Sequence, residues 1–437
     1  MFILNKIIFE GLNTIKQRLK IIQIFPKKVW KFVYLGLLIF SFLGIVSCTN
    51  LSSFSPSTQL QGNLFIWHSL ENEISQLLDK VCQEFQKLNP DVTIQSIYIP
   101  KEQIIPHFIE QSQKGFGASV LIDATQSLPE LIQAKRLQVI NETDLDEKIY
   151  YPHNLNQVRY QGKIYGIPLG SHTKVLCYNQ AKLNTTNDPI LRSPPTTLDE
   201  LTKRAIKGYS VGLVSSFEDT FWGISNFGGS LLDSQGNLKP QLAAWSQWLT
   251  WLKKAGTQQN FILLRGDSSV LNKAFIEEKL TYYVCNATEI AGFKNVLKDN
   301  FKIALLPNKN PFHAAPLLYT KAFMINRSAS DNEKQLALAL GRFLSNPEHQ
   351  LQGVVKTQSF IPTNRHVVLD KTLLPIESIL LQQAQTAISF SLEVVAKLLP
   401  TFEPAEQIYQ SAIAGDISTE EAAQQLTTLI EQSHSER

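Results

Sequence analysis

The feature that most constrains the fold of this chain is an alternation of short apolar runs with segments of helical periodicity. The runs at 63–67, 92–98 and 120–122 predict buried strands, and the segments at 71–88, 104–113 and 128–134 predict helices. Asn89-Pro90 ends the first helix. Strands that alternate with helices in this order are typical of a mostly parallel α/β sheet.

A second region with the same character follows. A tight hairpin at 159–168 leads into an extended run at 175–179. Further strands are predicted at 211–214, 281–285 and 322–325, and helices at 197–205, 242–254, 333–344 and 419–431. Trp245, Trp248 and Trp251 lie along one side of their helix, so we expect them in the core.

The first fifty residues have the character of a secretory leader. Seven Lys/Arg residues precede an apolar run at 32–46, which ends in Ile45-Val46-Ser47-Cys48. This ending resembles the bacterial lipobox, in which the cysteine receives a diacylglycerol before cleavage. The alternative is an uncleaved anchor, but the run is shorter than the roughly 20 residues that span a bilayer. We therefore expect a lipoprotein signal peptide at 1–47, lipidation of Cys48 and a flexible spacer at 48–61.

Size and charge restrict the function of the remainder. Removing 47 of 437 residues leaves 390, for which two domains are expected. The leader holds seven of the 41 basic and one of the 38 acidic residues, so the net charge of +3 becomes −3. Nothing in this balance indicates nucleic-acid binding.

The cysteines and the absence of catalytic motifs restrict the possible functions further. Cys82, Cys177 and Cys285 lack metal-ligand spacing, and we expect no metal or cofactor. One disulfide is possible and its pairing stays open, but burial of all three as small hydrophobes is favoured. The sequence lacks GxSxG, HExxH and P-loop motifs, and adjacent acids such as Glu218 and Asp219 make a poor glycosidase pair.

Six motifs then occur in order along the chain. They are G-N-L-F-I-W-H-S at 62–69, E-F-Q-K-L-N-P at 84–90, L-P-E-L at 128–131, the segment 160–168 followed by Y-N at 178–179, F-G-G at 227–229, and the stretch 414–423. In this order they resemble the extracellular solute-binding proteins of ABC importers, in the cluster that includes maltose-binding protein. Two departures are Gly117-Ala118-Ser119 in place of G-x-P-D and the lack of a Trp after Cys285.

The resemblance implies two α/β lobes joined by crossing strands near 168–178 and 316–327, with the solute held between them. Lobe 1 would comprise 62–170 with 318–368, and lobe 2 would comprise 171–317 with 369–437. The implied function is non-enzymatic: a lipid-anchored monomer on the periplasmic side of the membrane captures a sugar or polyol by hinge closure for an ABC permease. The alternatives are a sensor or structural lipoprotein without transport, and a secreted glycosidase.

Ligands of open α/β sheets bind beyond the carboxyl ends of strands, which identifies the candidate residues. They are Trp67, Ser69, Glu71, Asp123, Gln126, His172, Glu218, Phe221, Trp222, Asn286, Thr288 and Glu289. Aromatic rings would pack on sugar faces and carboxylates would accept hydroxyl hydrogen bonds. Each aromatic residue could instead be core, and Asp123 could cap a helix. The acids among them predict an acidic cleft, which leaves a cationic solute open.

Overall fold

The structure is a computed structural model that describes residues 60–70, 72–233 and 238–435. The predicted signal peptide, Cys48 and Glu71 lie outside the described residues. The strands are β1 Gly62–His68, β2 Val92–Tyr98, β3 Val120–Ala124, β4 Arg159–Tyr160, β5 Lys163–Ile164, β6 Ile167–His172, β7 Lys174–Asn179, β8 Val211–Val214, β9 Phe261–Leu264, β10 Tyr282–Asn286, β11 Phe301–Ala304, β12 Tyr319–Ile325 and β13 Ile361–Pro362.

The helices surround these strands. They are α1 Asn72–Leu88, α2 Lys101–Gln113, α3 Leu128–Gln133, α4 Pro152–Asn156, α5 Gln180–Asn184, α6 Leu198–Ile206, α7 Phe217–Thr220, α8 Leu242–Gly256, α9 Ser269–Ile276, α10 Ile290–Leu297, α11 Asp331–Leu344, α12 Pro347–Thr357, α13 Pro375–Thr386, α14 Leu392–Leu398, α15 Phe402–Ala414 and α16 Thr419–Ser435. Within the described ranges, no helix combines the length and apolar composition needed to cross a bilayer.

Two main sheets organise the chain. The sheet of lobe 1 has the order β13-β6-β12-β3-β1-β2, and that of lobe 2 has the order β11-β7-β10-β8-β9. In lobe 1 the strands β1, β2, β3 and β6 run in one direction, and β12 and β13 run against them. In the described part of lobe 2, β7 runs antiparallel to its neighbours β10 and β11, whereas β8 runs parallel to β9 and β10. The predicted two-lobe α/β fold is therefore confirmed, with most strands of each sheet running in one direction.

The chain passes between the lobes at several points. Thr173 alone separates β6 in lobe 1 from β7 in lobe 2, and the chain returns between β11 and β12. Each sheet is thus built from discontinuous segments. The predicted lobe boundaries remain a prediction. The helix α14 contributes to the cores of both lobes, since Leu392 lies in the core of lobe 1 and Leu398 in that of lobe 2.

The core of lobe 2 is rich in aromatic rings. Trp245 and Trp248 on α8 are fully buried, as predicted from their spacing, and Trp251 packs partly buried against Trp248 with ring centroids 5.0 Å apart. Trp245 stacks on Phe217 at 5.5 Å. Buried aromatic pairs of this kind add stability beyond the area that they bury. This cluster fixes α7 and the segment after it against α8.

A disulfide joins two neighbouring strands of the same lobe. Cys177 on β7 and Cys285 on β10 are bonded, with their Cα atoms 5.9 Å apart, whereas Cys82 is buried and unbonded. The expectation that all three cysteines are simply small buried hydrophobes is therefore wrong for this pair. Spacing could not identify the pairing, because the two residues meet only through the antiparallel register of their strands.

Candidate functional site

The two crossings between the lobes lie side by side. His172, the last residue of β6, pairs with Tyr319, the first residue of β12, and their rings stack at a centroid distance of 5.3 Å. The hydroxyl of Thr173 donates to the backbone carbonyl of Leu317 at 2.8 Å. These contacts tie the two crossings together where the lobes meet.

An open cleft of about 660 Å³ lies at this junction. Residues at strand ends and on the crossings line it, as expected for ligand sites of open α/β sheets. The polar members are Ser69, Glu73, Lys101, Asp123, Gln126, Ser127, His172, Lys174, Glu218, Asp219, Asn286, Thr288, Tyr319, Lys321, Thr357 and Ser359. The cleft is therefore a polar site that both lobes build.

Seven of the twelve sequence candidates line this cleft. Lobe 1 and the first crossing contribute Ser69, Asp123, Gln126 and His172, and lobe 2 contributes Glu218, Asn286 and Thr288. Asn286 also begins the turn after β10, where its side-chain oxygen accepts from the backbone N–H of Thr288 at 3.2 Å. The topological rule thus brings together polar residues that are up to 219 positions apart in the sequence.

The aromatic residues that were predicted to contact a solute do not line the cleft. Phe221 and Trp222 are buried in the lobe 2 core, with 3% and 1% of their surfaces exposed, because the 3₁₀ turn Phe221–Phe227 packs against α8. Trp67 is half-buried and stacks on His107 of α2 at 4.8 Å, outside the cleft lining. These rings are therefore part of the packing, and the alternative reading as core residues describes them.

Glu289 also lies outside the cleft lining, because local structure occupies its carboxylate. One oxygen accepts from the backbone N–H of Asn286 at 2.9 Å and completes a capping box. The other accepts from the side chains of Asn272 and Ser268 at 2.9 and 3.0 Å. With both oxygens engaged, Glu289 orients the turn that carries Asn286 and Thr288.

A hydrogen-bonded ion pair belongs to lobe 1. Asp123, at the end of β3, is 3% exposed and accepts a hydrogen bond from the hydroxyl of Ser69. The Nζ atom of Lys321 on β12 lies 3.6 Å from Asp123 Oδ1 and 3.4 Å from Ser69 Oγ. Because a buried carboxylate requires such partners, the three side chains hold one another in place.

A second ion pair belongs to lobe 2. Lys174, the first residue of β7, contacts Asp219 of α7 at 2.6 Å, and Ser216 donates to the other oxygen of Asp219 at 2.6 Å. The neighbouring Glu218 accepts a hydrogen bond from the hydroxyl of Tyr319. Since Tyr319 lies on β12 of lobe 1, this bond crosses from lobe to lobe. Burial and the negative charge of Glu218 raise the pKa of Tyr319 well above its usual range, so the phenol stays a donor.

His172 sits within a positive field. Burial, followed by the charges of Lys321, Lys174 and Lys101, lowers the pKa of His172 to about 3. The imidazole is therefore neutral at physiological pH and has one donor and one acceptor nitrogen. A neutral ring of this kind suits the hydroxyl of an uncharged solute.

The sequence reading missed the basic and phenolic members of the site. Lys101, Lys174, Lys321 and Tyr319 lie at the beginning of a helix or strand or inside it, whereas the topological rule identifies residues that follow strands. The available signal was the position of Lys174, Tyr319 and Lys321 within or beside the two predicted crossings. Their presence corrects the expectation of an acidic cleft, since three lysines offset four carboxylates.

A small pocket of about 50 Å³ adjoins the cleft beside the C-terminal helices. Gln126, Glu218 and Tyr319 line both spaces, and Gln157 and Phe390 are among the residues that close the small pocket. The side-chain oxygens of Gln126 and Gln157 are buried without a hydrogen-bond partner among the described residues. Buried acceptors of this kind require a donor, which a bound hydroxyl or a water molecule can supply.

Known proteins resemble this chain in sequence and in fold. The galactooligosaccharide-binding protein of Bacillus subtilis is 20% identical over 406 residues, which cover 88% of this chain and 92% of that protein. The sn-glycerol-3-phosphate-binding periplasmic protein UgpB of Yersinia pestis is 22% identical over 283 residues, 58% of this chain and 63% of that protein. The GacH receptor of Streptomyces glaucescens has a similar fold, with a TM-score of 0.74 at 18% identity, covering 86% and 99% of the two chains.

The family match extends over most of the folded region. Residues 80–374 match the family described as bacterial extracellular solute-binding protein. This range includes β2 to β13, both crossings and the residues from Lys101 to Ser359 that line the cleft. The chain therefore belongs to the family of bacterial extracellular solute-binding proteins.

Proposed function

We propose that this protein captures a sugar or polyol in the cleft between its lobes and delivers it to an ABC permease. The observation that carries the proposal is the pair of charge networks at the junction of the crossings, Lys321–Asp123 and Lys174–Asp219. Carboxylates accept from sugar hydroxyls and lysines donate to them, so a paired network recognises hydroxyls without requiring a charged solute. Two relatives, which are named for binding galactooligosaccharide and sn-glycerol-3-phosphate, support this class of solute.

The proposed contacts come from both lobes. They are Ser69, Asp123, Gln126, His172, Lys174, Glu218, Asn286, Thr288, Tyr319 and Lys321. Because these side chains belong to two lobes, a solute that touches both sets favours the closed arrangement of the lobes. Capture by hinge closure follows from that preference.

An extracytoplasmic location follows from the family, and the finer proposal is a lipid anchor on Cys48 at the periplasmic face of the membrane. The disulfide between Cys177 and Cys285 supports an oxidising compartment. Replacement of Cys48 by Ala is expected to abolish incorporation of radiolabelled fatty acid and to release the protein from the membrane fraction. Retention of the label would refute the lipidation.

The family and the relatives are binding proteins, so the protein is not an enzyme. The alternative that stays open is a sensor or structural lipoprotein that kept the cleft without transport. Uptake of radiolabelled solute by cells with and without the gene separates the two. Binding without any uptake defect in the deletion strain would favour the sensor.

Isothermal titration calorimetry of the full-length protein in lipid nanodiscs tests solute binding directly. The panel comprises sugars, polyols, amino acids and polyamines, and we expect binding in the first two classes. Asp123→Asn and Lys321→Met should each weaken that binding at least tenfold, because each leaves its partner without an opposite charge. Lys302→Met, on the exposed surface of β11, is the matched control. Equal affinities in all four proteins would exclude this cleft as the site.

A further inference from the structure

An apolar side pocket of about 110 Å³ opens off the cleft into lobe 1. The inner face of α1 forms one wall with Ile74, Leu77, Leu78 and Val81, and Phe360 covers the opposite side over β6. We call this space the side pocket.

Two glycines create the room for Phe360. A Cβ atom on Gly170 of β6 would lie 1.9 Å from the Phe360 ring, and one on Gly353 of α12 would lie 3.2 Å from it. The ring can approach both backbones only because neither position has a side chain. Phe360 thereby forms a flat apolar wall, and the pocket lies between this wall and α1.

Away from the residues that it shares with the cleft, the side pocket offers little to a polar group. His349, one of its polar lining residues, has both ring nitrogens engaged elsewhere: Nδ1 with the Phe343 carbonyl at 2.8 Å and Nε2 with Glu84 at 3.2 Å. A buried water needs two to four polar partners, whereas a dry apolar cavity of about 150 Å³ binds benzene or xenon. The chemistry of the walls therefore favours an apolar occupant.

The side pocket and the cleft are continuous. Leu70, Ile74, His172, Lys321 and Ser359 line both spaces. A solute held by the polar network at His172 and Lys321 therefore has the mouth of the side pocket next to it. An apolar substituent on such a solute can enter the pocket while the polar part remains in the cleft.

The cleft itself offers little stacking surface. Among the described residues that line it, Tyr319 carries the one phenyl ring, and that ring is stacked on His172 while its hydroxyl is bonded to Glu218. Sugar clefts commonly use aromatic rings for apolar contact. Here the apolar contact area lies in the side pocket instead.

We propose that the solute is a sugar or polyol with a short alkyl substituent, such as a glycoside or an ester, and that the substituent occupies the side pocket. This inference rests on the proposed function, since the polar part must bind in the cleft. Scaling from the 150 Å³ cavity that holds the six carbons of benzene, 110 Å³ accommodates about four carbons. The chain length of the substituent is therefore part of the proposal.

A homologous series of n-alkyl β-D-glucosides, from methyl to hexyl, tests it by calorimetry on the full-length protein in nanodiscs. Burial of each methylene should strengthen binding about fourfold up to butyl, and hexyl should gain nothing more. Leu77→Phe and Val81→Phe, at positions that line the side pocket but not the cleft, each fill the side pocket and should flatten the series while leaving the methyl glucoside affinity unchanged. Leu88→Phe, at the exposed end of α1, is the matched control.

Xenon supplies a readout that needs no sugar. The ¹²⁹Xe chemical shift should respond to the wild-type protein and to Leu88→Phe, and the response should be lost in both filled variants. Measurable methyl glucoside binding with a flat alkyl series would overturn the inference and leave the proposed function standing. Absence of all glucoside binding would count against the sugar assignment alone, and the side pocket itself would be refuted if xenon also gave no response.

Discussion

Removal of the disulfide in lobe 2 gives a prediction whose size follows from the chain. Cys177 and Cys285 are 108 residues apart, and the double Cys→Ala variant releases the loop that they close. The entropy that this cross-link removes from the unfolded chain corresponds to about 4.8 kcal/mol at 25 °C. We expect the free energy of unfolding of the protein to fall by roughly that amount. For a chain of this length the melting temperature should fall by roughly 6 °C.

Guanidinium unfolding followed by tryptophan fluorescence measures this change, because four of the tryptophans lie in lobe 2 and report on the lobe that contains the disulfide. They are Trp222, Trp245, Trp248 and Trp251. Cys82→Ala is the matched control, since it removes a buried sulfur from lobe 1 without opening a loop. The control should cost about 1 kcal/mol from lost packing.

The two results must differ if loop closure is the cause. A double variant that loses no more free energy than Cys82→Ala would refute the chain-entropy argument. Addition of reductant to the wild-type protein, which opens the same loop without removing sulfur, should reproduce most of the loss. No effect of reductant on a fully reduced sample would contradict the argument independently.

Three further predictions concern the site and its support. A double-mutant cycle of Lys174→Met and Asp219→Asn should give a coupling energy of about 1–3 kcal/mol in unfolding experiments, and no coupling would mean that solvent screens the pair. Because the pKa of His172 is lowered to about 3, unfolding takes up a proton between about pH 3 and 6.5. The free energy of unfolding should therefore fall as the pH is lowered through this window, by up to about 1.4 kcal/mol per pH unit. His172→Gln should flatten this slope in pH-dependent denaturation. Gly223→Ala places a Cβ 2.1 Å from a buried indole and should destabilise the protein by about 3 kcal/mol or more, whereas Gly292→Ala, in open space on α10, should be neutral or stabilising by thermal unfolding.

Much of the fold could be predicted because its signals are local. The strands β2 and β8 have the predicted bounds, and α1 ends at the predicted residue, Leu88. The strands β9 and β11 escaped prediction. Both are four-residue strands at the edges of the lobe 2 sheet, whereas β8, of the same length, lies inside the sheet and is buried at every residue. Such segments become strands through their neighbours in the sheet, which sequence periodicity does not reveal.

The candidate site could be predicted in part, for a reason that lies in topology. Residues that follow strands lie together at the carboxyl edge of a parallel sheet, and this rule identified Asp123 and Glu218 from order alone. It failed for Phe221 and Trp222 because direction matters as well as position: the 3₁₀ turn points both rings into the lobe 2 core. It also missed Lys321, whose side chain leaves the middle of β12 and reaches back to Asp123.

The arrangement of charges explains how a cleft so rich in ions can serve an uncharged solute. Lys321 and Asp123 pair within lobe 1, and Lys174 and Asp219 pair within lobe 2, so these four charges are matched inside their own lobes before the lobes meet. Desolvation of such pairs on closure costs less than desolvation of isolated ions. Further hydrogen bonds from lobe to lobe across the cleft would add to contacts such as that from Tyr319 to Glu218. The hydroxyls of a bound sugar or polyol can supply those bonds, and closure is then favoured by the solute that provides them.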